Sequence, residues 1–156
     1  MNVYWDTSAL IKLYLAEPGT SEVLDLLDQT SLSGTVVVTR AEVAGVFSKA
    51  FSKGRLTEEQ VKRGIRRFRQ DWPAYLRVRI NEMMIRDADH LALQYSLRGY
   101  DAVHLSAALM WKDRISDAIR FATFDDTLWR AAGLEGFDAF PVNLPSEFLK
   151  TNKNSA

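Results

Sequence analysis

Val3-Tyr4-Trp5-Asp6-Thr7-Ser8-Ala9-Leu10-Ile11-Lys12-Leu13-Tyr14-Leu15 is the stretch whose reading decides the fold. Residues 3–5 are β-prone and apolar, Asp6-Thr7-Ser8 is a polar step, and the apolar run from Ala9 is long enough for two helical turns before Pro18-Gly19 halts it. The unit is strand, turn, helix.

Working outward, Val23, Leu24, Leu26 and Leu27 mark a second helix from Ser21, closed by Gln29-Thr30-Ser31 and Gly34. Thr35-Val36-Val37-Val38-Thr39 is a β-branched run of the kind buried in a parallel sheet. Val43, Val46, Phe47, Ala50 and Phe51 then recur at helical spacing as far as Gly54, and Thr57-Glu58-Glu59-Gln60 has the form of a capping box opening a basic helix to Gln70. After Pro73, Leu76, Val78 and Ile80 alternate as a half-exposed strand, and residues 82–98 and 101–112 read as two helices separated by Gly99-Tyr100. Residues 119–123 form a fourth strand, residues 126–132 a short helix ending at Gly133, and residues 137–142 an edge strand, since Pro141 cannot donate to a ladder. Strands alternating with helices predict a three-layer α/β/α sandwich around a mostly parallel sheet of four to five strands. One domain is expected over residues 1–150, followed by a polar tail, Thr151 to Ala156.

A chain of 156 residues with 47% hydrophobic content suits one domain with a single core. The absence of cysteine excludes disulfides, thiolate metal sites and cysteine nucleophiles, and fits a reducing, cytoplasmic setting. The first residues carry no basic segment ahead of an apolar one, and no apolar run approaches the roughly 18 residues of a membrane span, so a soluble protein is expected. Net charge is zero, yet residues 49–79 hold ten basic side chains against three acidic ones. That excess reads either as a solvated helix face or as a phosphate-contacting rim.

In sheets of this kind ligands bind beyond the carboxyl ends of the strands. Asp6 follows the first strand, Glu42 comes three residues after Thr39, and Asp125 comes two after Thr123. Asp101 opens a helix on which His104, Leu105 and Ala108 share its face, so an inward-packed face would bring Asp101 to the others. Each acid also has a capping explanation: Thr39-x-x-Glu42 fits a capping box, and Asp101 and Asp125 fit N-caps. At Asp6 the hydroxyls of Thr7 and Ser8 offer themselves as caps, leaving the carboxylate free. Converging carboxylates repel by about 4 kcal/mol per pair at roughly 4 Å and an effective dielectric near 20, which favours proton uptake or a divalent cation. An oxygen-only set suits Mg²⁺ or Mn²⁺, ions able to activate water against a phosphodiester. Phe47, Phe51, Trp111 and Trp129 read as core or dimer contacts rather than base-stacking platforms, His104 as a structural residue, and His90 as a surface or core residue.

Four segments carry a resemblance. Residues 6–14, Arg40-Ala41-Glu42, residues 98–108 (beginning Arg98-Gly99-Tyr100-Asp101) and residues 122–128 resemble, in order and spacing, the four motifs of VapC-type PIN domains. The resemblance implies an α/β/α sandwich, Mg²⁺- or Mn²⁺-dependent RNA cleavage, homodimerisation, and neutralisation by a VapB-like antitoxin. It also implies that Asp6, Glu42 and Asp101 are the core metal ligands, that Asp125 acts directly or through water, and that Thr7 or Ser8 orients Asp6; Asp126 reads as a first-turn helix residue. An antitoxin is expected to insert a basic side chain into the acidic pocket. Rival readings are an RNA-processing nuclease without a toxin role and a catalytically silent binding module. Phosphoaspartyl chemistry is disfavoured, because Ser8 stands where a phosphatase of that kind needs a second aspartate.

Overall fold

The computed structural model describes residues 1–144, so the expected tail at 151–156 lies outside the described residues. Five strands, β1 (Asn2–Trp5), β2 (Leu32–Val36), β3 (Leu76–Val78), β4 (Ile119–Ala122) and β5 (Asp138–Phe140), form one sheet in the order β3-β2-β1-β4-β5. Every pairing is parallel, with Val3 opposite Ser33 and Arg120. The chain builds outward from β1 through β2 to β3, then crosses to the other side of β1 for β4 and β5. That reversal places the topological switch between β1 and β4, where an open α/β sheet leaves a crevice at its carboxyl edge.

Alternation along β1 shows how the layers form. Val3 and Trp5 enter one core with residues of α1 (Thr7–Leu10), α2 (Thr20–Asp28), α3 (Thr39–Ser52) and α4 (Glu58–Asp71). Tyr4 enters the other, with α5 (Glu82–Tyr95), α6 (Gly99–Lys112) and α7 (Asp126–Leu134). The period-two pattern of a strand buried on both faces thus produces the three layers. α6 is buried on most of its surface, from Ala102 to Ala108 and again at Trp111, and β2 passes over it at Gly34, where an added Cβ would lie 2.5 Å from the Trp111 ring.

Several expected boundaries move. The β-branched run at 35–39 is not one strand: β2 ends at Val36, the chain turns through Val37 and Val38, and Thr39 already opens α3. The Thr35 hydroxyl donates to the Trp5 carbonyl at 2.7 Å and meets the Thr39 hydroxyl at 2.7 Å, so tertiary bonds override β-propensity there. The apolar run after Asp6 is helical only to Leu10 and tightens to a 3-10 turn at Ile11–Leu13. Gly99 and Tyr100 belong to the first turn of α6; the break comes earlier, at Ser96, which ends α5 with a left-handed φ of 54°. β3 stops at Val78, β4 at Ala122 and β5 at Phe140, short of the expected strand ends. The capping box of α4 is present as read, with the Thr57 and Gln60 side chains each accepting the other's backbone N–H. Phe47 and Trp111 are core residues as expected, whereas Phe51 is half exposed.

Candidate active site

Asp6 follows β1 directly, and its backbone N–H still donates across to Ala122 of β4 at 2.9 Å, which fixes it over the switch point. Its Oδ2 accepts from the Ser8 hydroxyl at 2.5 Å, the Thr123 hydroxyl at 2.8 Å and the Ser8 backbone N–H at 3.3 Å. Asp6 is therefore itself the cap of α1, a correction to the expectation that Thr7 and Ser8 would cap and leave it free. One oxygen remains: Oδ1 points to His104 Nε2 at 3.5 Å. Ser8 orients Asp6, while Thr7 turns to another acid, its hydroxyl donating to Glu42 Oε2 at 2.6 Å.

Glu42 lies in the first turn of α3, but the capping box drawn from Thr39 does not form; no side chain caps that helix. Its Oε2 accepts instead from His104 Nε2 at 2.8 Å. Burial alone would raise the Glu42 carboxyl, yet the His104 hydrogen bond and charge, with Thr7 and Arg98, hold it below its ordinary value. The face of α6 that carries Asp101 does pack inward, and His104 one turn along is fully buried. Burial disfavours its charged form, but Asp6, Glu42 and Asp101 outweigh that and raise its pKa. His104 Nε2 lies 2.8 Å from Glu42 Oε2, and Nδ1 shares a hydrogen bond with the Tyr4 hydroxyl at 3.1 Å.

Asp101 and Asp125 share a second cation. Arg98, just before α6, donates from Nε to Asp101 Oδ2 at 2.9 Å and from Nη2 to Asp125 Oδ2 at 3.0 Å. Burial and the charges of Asp6 and Asp125 raise the Asp101 carboxyl to about 6, with Arg98 pulling the other way. Asp125 is also the N-cap of α7, its Oδ1 accepting from the Leu128 N–H at 2.9 Å, so the capping explanation holds for one of its oxygens. Asp126 pairs with Arg130 one turn on, as a first-turn helix residue does.

The four acids come from four segments and meet as two pairs: Asp6 and Glu42 around the His104 imidazole, Asp101 and Asp125 around the Arg98 guanidinium. Among the described residues no three histidine or acidic side chains stand in ligating positions around one point. The buried His104 ring and the exposed Arg98 guanidinium each bridge one pair. Sequence reasoning set His104 aside and did not weigh Arg98, although both signals were there: Arg98 lies three residues before Asp101, and His104 three after it. Thr123, which holds Asp6, lies inside the fourth of those motifs without having been weighed for this role, and Tyr4, which holds His104, lies outside all four.

Residues 3–134 match the family model described as PIN domain. The chain belongs to the PIN-domain family and is of the VapC type. This PIN domain is 31% identical over 142 residues to Ribonuclease VapC45 of Mycobacterium tuberculosis (strain CDC 1551 / Oshkosh), covering 91% of this chain and 96% of the relative. The same identity and coverage relate it to Ribonuclease VapC49 of M. tuberculosis (strain ATCC 25618 / H37Rv). Among solved structures, a chain of a toxin-antitoxin complex from Klebsiella pneumoniae superposes with a TM-score of 0.56 at 17% identity, over 80% of this chain and 87% of that one, a likeness of fold. The five-stranded parallel sandwich is the PIN fold expected from the resemblance.

Proposed function

We propose that this PIN domain, one unit over residues 1–150, is an endoribonuclease that hydrolyses RNA phosphodiesters with Mg²⁺ or Mn²⁺, and that it is the toxin of a pair neutralised by a VapB-like antitoxin. The observation that supports the reading is that Asp6, Glu42, Asp101 and Asp125, from four segments of the chain, gather as two neighbouring pairs beside the ends of β1 and β4. The names of the 31% identical relatives support RNA as substrate.

The donor set fits a hard divalent ion. All four side chains offer oxygen only, and the Asp101 carboxyl is raised first by its burial and then by the charges of Asp6 and Asp125 beside it. Asp6, Glu42 and Asp101 would hold the ion, with Asp125 acting directly or through water. A divalent ion bound there supplies a water of lowered pKa and polarises the phosphate under attack. The chain's own part is to keep the ligands aimed: Ser8 and Thr123 lock one oxygen of Asp6, leaving the other exposed to the cluster, and Thr7 with His104 locks Glu42. Arg98 has a mostly exposed side chain, 72% accessible, so it is able to yield its two carboxylates to an ion and remain at the rim, where it faces the anionic substrate.

The test is RNA cleavage with Mg²⁺ or with EDTA, run beside Asp6→Asn. Cleavage is expected only for the unaltered protein with metal, and a loss of at least about a thousandfold in the variant, about 4 kcal/mol of barrier. Equal cleavage by both proteins means that the acids are structural.

A further inference from the structure

The acidic cluster repels the substrate proposed for it, and a chain of zero net charge has no overall field to draw a polyanion in. Affinity for a nucleic-acid backbone has to come from a separate basic surface. The described residues contain one. On α4, Lys62, Arg66 and Arg69 follow one another at helical spacing, all exposed, with Val61 and Ile65 half buried beside them. These residues and Gln70 line a shallow depression. A second depression, between α3 and α4, continues it through Ile65 and Arg69 to Arg40, Ala41 and Ala44. Arg40 precedes Glu42 by two residues on α3, so the basic strip starts at the helix end that carries a site acid.

Four exposed cationic side chains, Arg40, Lys62, Arg66 and Arg69, stand along this strip over a floor of apolar side chains. Lys62 pairs with Glu58 at 2.6 Å, but among the described residues Arg40, Arg66 and Arg69 have no acidic partner. The exposed large apolar side chains lie mostly elsewhere, such as Met83 and Leu93 on α5, while the floor of the strip is half buried. Three of the four cations are arginines, whose forked donors match phosphate oxygens.

We propose that Arg40, Lys62, Arg66 and Arg69 form the surface on which the phosphate backbone of single-stranded RNA docks, separate from the acids that cleave it. The proposal rests on RNA being the substrate class. It places RNA along the α3–α4 face, with the strand crossing the start of α3 to reach the cluster.

The experiment is fluorescence anisotropy in EDTA with a labelled single-stranded RNA of roughly 16 nucleotides, titrated with the unaltered protein, Arg66→Glu/Arg69→Glu, Arg66→Gln/Arg69→Gln and Arg114→Glu, the last in an exposed turn after α6, on the opposite layer from α4. Thermal melting of each variant confirms folding. The expected result is a loss of roughly tenfold or more for both double variants and a salt slope shallower by about 1.4, as two lost phosphate contacts on a single strand predict, with Arg114→Glu unchanged. Equal affinity and slope in the folded double variants overturn the proposal. So does unchanged RNA binding alongside lost binding of polyglutamate, which assigns the strip to an acidic protein partner. Because the readout is binding without metal, it stands apart from cleavage: absent cleavage with lost binding in the variants removes the nuclease reading and leaves this surface in place.

Discussion

At Asp101, burial and the charges of Asp6 and Asp125 raise the carboxyl from 3.8 to about 6, and at His104 the surrounding acids raise the imidazole above 6.5 against its burial. Both groups hold their protons more tightly in the fold than in the unfolded chain. Their contribution to stability is complete at low pH and is lost as pH climbs, for Asp101 between about 4 and 6 and for His104 above its ordinary value. Glu42, held low, works in the opposite sense, stabilising above its ordinary 4.5 and losing that only as pH falls through its lowered value. The metal-free protein is therefore expected to resist urea better at pH 5 than at pH 8, and Asp101→Asn to flatten the part of the profile below about pH 6.5. A profile that rises toward pH 8 contradicts this account of the cluster. Residue types were the legible part of the site: an acid after each of two strands and at the start of two helices is visible in the sequence. What the acids bond to was not legible, because the Asp6 to Thr123 and Glu42 to His104 bonds span 117 and 62 residues and exist only once the sheet order is set.

Between elements, two glycines on the same helical layer make opposite predictions. Gly64 on α4 lies against α3, and a Cβ there would come within 2.4 Å of the Phe47 ring. Gly45 on α3 is exposed and a Cβ there meets nothing within 4 Å. Gly64→Ala is expected to destabilise by about 1–3 kcal/mol through overpacking, and Gly45→Ala to stabilise by about 0.5–1 kcal/mol through helix propensity, both read from urea midpoints. Equal effects of the two would mean that the α3–α4 contact is looser than described. Elements with local signals were read well from sequence; α4 has its own capping box and a broken end at Pro73. β2 was misplaced because Val37 and Val38 look like strand, while the hydroxyl contacts of Thr35 with Trp5 and Thr39, which force the turn, are not local in any readable sense. The α5–α6 break was misplaced for a related reason: Gly99 invites a break, yet the chain turns at Ser96, a non-glycine residue in left-handed backbone.

For the whole molecule, strand order is what converts separate acids into a site. β1 lies at the centre with its two neighbours reached by opposite crossings, and side-chain bonds draw the ends of β1 and β4 and the starts of α3 and α6 together at one edge of the sheet. Within the chain, a buried histidine and a surface arginine stand against these acids. The central claim is that a divalent cation replaces that balance. The measurement that tests it most directly is an anomalous-difference map from crystals soaked in Mn²⁺. The account predicts a peak with oxygens of Asp6, Glu42 and Asp101 at roughly 2.1 Å, and Arg98 withdrawn from Asp101. A peak elsewhere, or none with the Arg98 and His104 pairings intact, would contradict it.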